Sequence, residues 1–386
     1  MGSLLIAIIY IAFISLGLPD SLLGSAWPVM YTELNVPLSY MGIISMIIAL
    51  GTIFSSLASD FLNRKLGTGL VTAISVLMTA AALFGFSAAR SFVLLCIIAV
   101  PYGLGAGAID AALNNYVALH YSSKHMSWLH CFWGIGASAS PYIMGFCLTS
   151  GSGWQKGYFS VSLIQFALTA VLFLSLPLWK KRTDGLQEQN SNIVGLRGAF
   201  KIKGVPYVLA AFFCYCAMES TAGLWASSYL NEYRGTSEET AAMFASLFYL
   251  GITLGRFICG FAADKIGDKG LIRIGVSIAA FGVILIILPL QTDIMALAGL
   301  ILAGLGCAPI YPSIIHSTPS NFGKENSQSI IGIQMACAYT GTTIMPTLFG
   351  ALADSVGIFL YPVYLLIFAV MLAVMSELLN NSVKKL

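Results

Sequence analysis

Charge is what this sequence has least of. Only 9% of its 386 residues are Asp, Glu, Lys or Arg and 58% are hydrophobic, where a soluble domain carries about 25% charged residues. Period-two alternation of apolar and polar residues is missing too, which excludes a membrane barrel built from strands of about 10 residues. The eight cysteines fall within apolar runs, and Cys214 and Cys216, two apart, point to different sides of a helix. No disulfide scaffold or thiolate metal site is implied, and the thiols read as small apolar filler. The chain has no HExxH, GxSxG or P-loop sequence and no metal-spaced His/Cys set, so the corresponding enzyme classes lack their signatures.

What is present is a succession of apolar runs of 20 or more residues, each long enough to cross about 30 Å of hydrocarbon as a helix. Twelve spans are expected, near 3–30, 38–61, 68–89, 92–119, 127–149, 156–179, 205–231, 240–263, 270–290, 294–316, 327–352 and 357–379. The first run has no basic flank or small-residue cleavage site and is too long for a signal peptide, so it is read as a span. Of the 19 Lys and Arg, all but Arg90, Lys156, Arg234 and the intramembrane Arg256 fall on the side that holds both termini. The positive-inside rule makes that side cytoplasmic and the protein an integral plasma-membrane protein. The net charge of +3 therefore reports topology, and no nucleic-acid partner is implied.

The polar stretch 180–204 divides the spans six and six. The expected organisation is a bundle over 1–179, a cytoplasmic linker over 180–204 and a second bundle over 205–386. The linker's end, "NIVGLRGAFKIKG", mixes apolar and basic residues and reads as a short helix on the inner membrane surface. The halves also resemble each other. "GTIFSSLASDF" (51–61) matches "GRFICGFAADK" (255–265), "GLGAGAID" (103–110) matches "GLGCAPIY" (304–311), and "PYIMG" (141–145) matches "PTLFG" (346–350). "DSLLGSAW" from Asp20 pairs with "ESTAGLW" from Glu219. A duplicated six-helix unit explains the common order and offset. Two such bundles with a site near the midplane are the architecture of many secondary transporters. "GLGAGA" resembles the start of a dinucleotide loop, but within a span Gly103 and Gly107 form GxxxG, a helix-packing motif.

Sixteen residues are Asp or Glu, and all but three can be placed in loops or near span ends. Asp20, Asp110 and Glu219 lie deep in spans one, four and seven, where an ionised acid costs roughly 2.5–3.5 kcal/mol. No intramembrane base is placed by sequence to offset them, apart from Arg256 near a span end. Such acids are protonated or face water, and either condition suits a group that takes up and releases a proton. Asp110 and Asn114 stack at helical spacing with Asn115 beside them. Their amides offer both donors and acceptors, which suits a hydroxylated ligand. His130 and Trp133 share a face of span five. Trp225 lies in span seven, Tyr311 in span ten at the mate of Asp110, and Gln334 and Tyr339 in span eleven. Together they make a candidate sugar site, although each alone also reads as packing or an interfacial anchor. His316, at the inner end of span ten, carries a weaker signal.

"GRFICGFAADKIGDKG" (255–270) resembles the signature of the major facilitator superfamily, through Gly260, Ala263, Asp264, Lys265, Gly267 and Lys269. The first-half copy, "SSLASDFLNRKLG", keeps Asp60, Arg64 and Lys65 but lacks the leading glycine. "IDAALNNYVA" is similar to the fourth-helix pattern of fucose-permease-like sugar symporters, with Asp110 for their Glu and no Pro after Asn115. "ESTAGLWASSYL" resembles helix seven of the sodium-dependent glucose transporter branch. The resemblance implies an all-α protein of twelve transmembrane helices in two pseudo-symmetric bundles, no enzyme, and a monomer in membrane lipid. It implies uptake of a sugar or polyol by alternating access, with a proton, or sodium, as coupling ion and no other cofactor. Asp110, with Asp20 and Glu219, would carry the proton, and Asp20 would face substrate. The signature would form a charge–helix lock that gates one state. The alternative is a proton-driven exporter of amphipathic compounds; an intramembrane enzyme or a non-transporting receptor is the reading of another class.

Overall fold

The computed structural model describes residues 2–183, 195–288 and 293–383. The middle of the linker, and Lys384 and Lys385 among the charges expected on the inner side, lie outside the described residues. The first half runs through α1 (Gly2–Gly17), α2 (Leu22–Glu33), α3 (Met41–Leu66), α4 (Thr68–Ala88), α5 (Phe92–His120), α6 (Ser123–Thr149) and α7 (Gly153–Thr183). After a one-turn helix, α8 (Leu196–Ala199), the second half runs through α9 (Val205–Ser228), α10 (Glu238–Ile266), α11 (Asp268–Ile287), α12 (Asp293–Cys307), α13 (Ile310–His316), α14 (Thr318–Phe322), α15 (Lys324–Ser355) and α16 (Tyr361–Val383). No strand occurs among the described residues. Among the described residues, eleven segments are long and apolar enough to cross a membrane. The twelfth span is α15, whose 32 residues suffice in length but carry Asn326, Gln328, Gln334 and several threonines that dilute its hydropathy.

Two of the expected spans are discontinuous. Span one breaks at Leu18–Ser21, between α1 and α2. The cause is local: Pro19 has no N–H for the Ser15 carbonyl and its ring disfavours the continuing helix. Span ten breaks at Ala308–Pro309 for the same reason, separating α12 from α13. The expected surface helix at the end of the linker is a single turn, with Leu196 and Phe200 exposed and Ala199 buried.

By its contacts the chain forms two units, residues 1–116 with 129–193 and residues 117–128 with 194–386. The stretch 117–128, which joins α5 to α6, thus packs with the second unit. Inside the first unit, Gln165 of α7 repairs the span-one break. Its Nε2 donates to the Ser15 carbonyl at 2.8 Å, standing in for the N–H that Pro19 lacks, and its Oε1 accepts from Thr79 of α4 at 2.8 Å. At the other end of α2, Glu33 accepts from the Trp154 indole at 2.7 Å, and Trp27 donates to the Leu38 carbonyl at 2.7 Å.

Glycines set the closest helix approaches. Side chains at Gly103 and Gly107 of α5 would strike the Ile48 and Thr52 carbonyls of α3, and one at Gly304 of α12 would strike the Phe248 carbonyl of α10. The same contact therefore recurs in each half, as the sequence repeat implies. Gly136 of α6 lies equally hard against the Ile14 carbonyl of α1, a backbone group that cannot swing aside. Gly136→Leu is expected to cost about 1–3 kcal/mol or more through overpacking, read as a lowered midpoint of thermal unfolding in detergent. An unchanged midpoint would show that α1 and α6 separate easily.

Candidate functional site

The polar residues singled out by sequence collect into two clusters, one in each unit. The first is built around the break in span one. Asp20 sits in the unwound turn just before α2, where the orphan N–H groups and positive end of that half-helix favour a carboxylate. Asp20 retains exposed surface, and its Oδ2 accepts from the Trp133 indole N–H at 2.9 Å. The Tyr102 hydroxyl faces the same carboxylate, and Asp110 lies within coulombic reach of it.

One layer deeper, α5 and α6 hold a buried relay. Asn114, four residues after Asp110, turns its Nδ2 to the Asp110 Oδ1 at 2.8 Å and to the Asp110 carbonyl at 3.0 Å. The Asn114 Oδ1 in turn lies 3.1 Å from His130 Nε2. Asp110, Asn114 and His130 are 4%, 0% and 5% exposed, so this Asp–Asn–His chain is closed off by side chains, Phe13 meeting the imidazole edge to face. With the amide oriented in this way, Asn114 donates toward Asp110 and accepts from the imidazole, which makes Asp110 the terminal acceptor. His130 and Trp133, three residues apart, thus serve different acids: one reaches Asp110 through Asn114, the other holds Asp20. Asn115 is buried beside them.

The second cluster pairs Glu219 with Arg256, the one intramembrane base the sequence offered. Arg256 of α10 reaches it from 37 residues away, Nη2 to Oε1 at 3.4 Å, with side chains 4% and 19% exposed for Arg256 and Glu219. Tyr215, Tyr249, Tyr311 and Cys307 surround the pair within its electrostatic reach. Tyr311 donates to the Met335 sulfur at 3.2 Å and packs on the Phe212 ring. Glu219, mate of the open Asp20, is therefore neutralised in place, so the two matched positions differ in chemistry. Trp225 spends its indole N–H on the Pro346 carbonyl at 2.9 Å and meets Phe349 edge to face, which ties α9 to α15. Gln334 is fully buried, with its Oε1 accepting from Thr318 at 3.1 Å. Tyr339 is half-buried on the same helix. The printed partners of Trp225 and Gln334 are the Pro346 carbonyl and Thr318, not the Arg256–Glu219 pair.

The signature residues lie at the α3–α4 and α10–α11 junctions. Asp60 and Arg64 pair at 2.8 Å, one turn apart on α3. In the second unit Asp264 takes the Ser122 hydroxyl at 3.1 Å and the Lys124 backbone N–H at 3.2 Å, at the N-terminus of α6. Gly267 ends α10 with φ +75°, a left-handed conformation that favours glycine. A side chain at Gly260 would strike the Trp128 indole. Lys265 is exposed. His316 is more engaged than its sequence signal suggested: Nδ1 lies 2.7 Å from Asp268 and Nε2 3.1 Å from the Tyr121 carbonyl.

Two residues of the clusters were not among the candidate site residues read from the sequence. Arg256 carried a signal, as the lone base within a span, but its partner was not legible at that separation. Tyr102 carried none, being one of 17 tyrosines. A cavity of about 510 Å³ in the first unit, between Leu66–Leu70, Tyr116 and Leu176–Trp179, is apolar and holds none of the candidate residues.

Comparison with known proteins identifies the fold and the family. The family model of the Major Facilitator Superfamily matches residues 9–241 and 207–379. A Sinorhizobium fredii protein described as an uncharacterized transporter is 25% identical over 373 residues, covering 93% of each chain. The glucose/mannose transporter GlcP of Bacillus subtilis is 22% identical over 355 residues, covering 88% of this chain and 86% of its own. Among solved structures, the proton:xylose symporter XylE superposes with a TM-score of 0.79 at 13% identity, over 98% of this chain and 95% of its own. FucP in its outward conformation gives 0.77 at 15% identity, over 98% of both chains. These likenesses establish the twelve-helix transporter fold, which is not an enzyme fold. The protein is an integral membrane transporter, and the chain belongs to the Major Facilitator Superfamily.

Proposed function

We propose that this protein takes up a sugar or similar polyol by alternating access, in symport with a proton, at a plasma membrane whose inner side holds both termini. The observation that carries the reading is the pairing, within one unit, of an open acid with a buried one. Asp20 keeps exposed surface at a helix break, with Trp133 beside it. An aromatic face and a carboxylate acceptor are what a ring of hydroxyls requires. Asp110 sits behind it in a sealed relay with Asn114 and His130, where its charge is costly and a transferable proton is the simplest compensation. The second acidic position is neutral as the Arg256–Glu219 pair. That leaves the proton to the first unit and reduces the part of Glu219 to structure. Relatives that include a glucose/mannose transporter, and solved neighbours that include a proton:xylose symporter, support the substrate class and the coupling ion. An exporter of amphipathic compounds would favour an apolar site, and the first cluster is built of acids and hydrogen-bond donors.

Asp20→Asn tests the substrate role. A hydroxyl bonded to a carboxylate is worth roughly 1.5–3 kcal/mol, so the Kd for the transported sugar should rise about tenfold or more. A panel of hexoses, pentoses and polyols, screened by thermal shift on the purified protein, supplies the ligand, and calorimetry supplies Kd. An unchanged Kd removes Asp20 from the substrate site.

A further inference from the structure

Three of the protein's four histidines meet at one turn. His120 and His125 belong to the stretch 117–128, and His316, the last residue of α13, lies against it. The stretch belongs to the second unit, although the chain on both sides of it belongs to the first.

Two acids of the α10–α11 junction hold the stretch through donors that keep their hydrogens at any physiological pH. Asp264 accepts from the Ser122 hydroxyl and the Lys124 N–H. Asp268 Oδ1 accepts from the Ser123 hydroxyl at 2.6 Å. The remaining hold is His316, whose ring bridges Asp268 Oδ2 at 2.7 Å and the Tyr121 carbonyl at 3.1 Å. Both ring nitrogens therefore face acceptors. An imidazolium donates from both nitrogens and satisfies both contacts. A neutral ring donates from one and turns a lone pair toward the other oxygen, which repels it. The bridge is complete only when the ring carries its second proton. The His316 and Asp268 side chains are 19% and 15% exposed, so a proton can reach the ring, while little water is at hand to replace a lost bond.

The charged groups facing the ring are Asp268, at the start of α11, and Asp264, at the end of α10. Lys265 and Lys269, which follow these acids in sequence, are exposed, and the Lys124 ammonium stands over the Trp128 ring at 4.4 Å. The His125 ring meets Tyr121 and Trp128 edge to face, and His120 is half-buried.

We infer that His316 is a proton-operated latch. Protonated, it ties the Tyr121 carbonyl to Asp268 and holds the turn between α5 and α6 on the second unit; neutral, it lets that end of the turn go. The hold is full below the histidine range, around pH 6.5 for an ordinary imidazole, and falls as pH rises through it. The proton is taken from and returned to the side that the positive-inside rule makes cytoplasmic, so the latch is separate from the coupling acid Asp110. One consequence rests on the uptake reading proposed above: protons carried in with substrate would tighten the latch and act as a brake.

Hydrogen–deuterium exchange of the purified full-length protein in detergent, without sugar, tests the latch. Each rate is divided by the intrinsic rate at its pH, and peptides of α4 serve as the reference. The peptide over 117–128 should be about tenfold or more better protected at about pH 6 than at about pH 9, with α4 equally protected at both. His316→Gln, whose amide does not titrate, should show the weaker protection at both values. Equal protection of the parent at the two pH values overturns the latch. A folded His316→Gln protein that keeps the parent's pH response also overturns it, and assigns the response to His120 or His125. The same variant protected like the acidic parent at both pH values overturns it too. Failure of pH-driven sugar uptake in proteoliposomes would remove the brake along with the uptake reading and leave the latch standing.

Discussion

Asp110→Asn should abolish concentrative, pH-driven uptake while sparing exchange of labelled for unlabelled substrate. A gradient of one pH unit supports up to about tenfold accumulation at one proton per substrate, since 1.4 kcal/mol is a factor of ten. The variant should reach an accumulation ratio near one. The reason lies in the geometry of α5 and α6. Asp110 is the terminal acceptor of a chain that passes through Asn114 to His130, and all three are buried. An amide at 110 keeps the size and a hydrogen bond to Asn114 but has no proton to release, so the cycle loses its coupling step and retains its moving parts. Proteoliposomes with an imposed pH gradient give one measurement and counterflow gives the other. A variant that still concentrates substrate like the parent would take the coupling role away from Asp110. Loss of both activities in a well-folded variant would make Asp110 part of substrate binding.

The second large effect concerns stability. Arg256→Met should lower the unfolding midpoint sharply, because it strands the Glu219 carboxylate among Tyr215, Tyr249 and Tyr311. Removing one partner of a buried pair costs about 3–5 kcal/mol. The double variant Arg256→Met with Glu219→Gln should recover most of the loss, since replacing both charges removes the desolvation cost along with the attraction. The 3.4 Å contact through one nitrogen is long for a charge-assisted bond, which favours that recovery. Thermal unfolding followed by size-exclusion fluorescence reads all three proteins. A single variant as stable as the parent would show that Glu219 is protonated or hydrated without Arg256. A double variant no better than the single would place the role of Arg256 in packing against the tyrosines.

The two predictions separate what is alike in the halves from what is not. Asp20 and Glu219 occupy matched positions and looked equivalent in the sequence repeat. One is exposed at a helix break; the other is paired with a base. Pro19 follows Leu18 in the first half, whereas α9 runs unbroken from Val205 to Ser228 through the matched region. One proline therefore gives the first half an unwound turn, and one arginine gives the second half a neutral core.

The amino-acid sequence by itself determined the fold class, the number of spans and their repeat, because apolar length and glycine spacing are local properties that a bilayer reads directly. It also determined which acids are unusual, since a carboxylate deep in an apolar run is costly wherever its helix lies. The tertiary structure alone decided how each acid is compensated. Trp133 is 113 residues from Asp20 and Arg256 is 37 from Glu219, and no periodicity encodes which helix faces bring them together. Gln165 is the clearest case. In sequence it is one polar residue in span six. In the fold it supplies the hydrogen bond that Pro19 withholds from Ser15, 150 residues away. A buried carbonyl must be satisfied by whichever donor packing places beside it, and that choice is made only when the helices assemble.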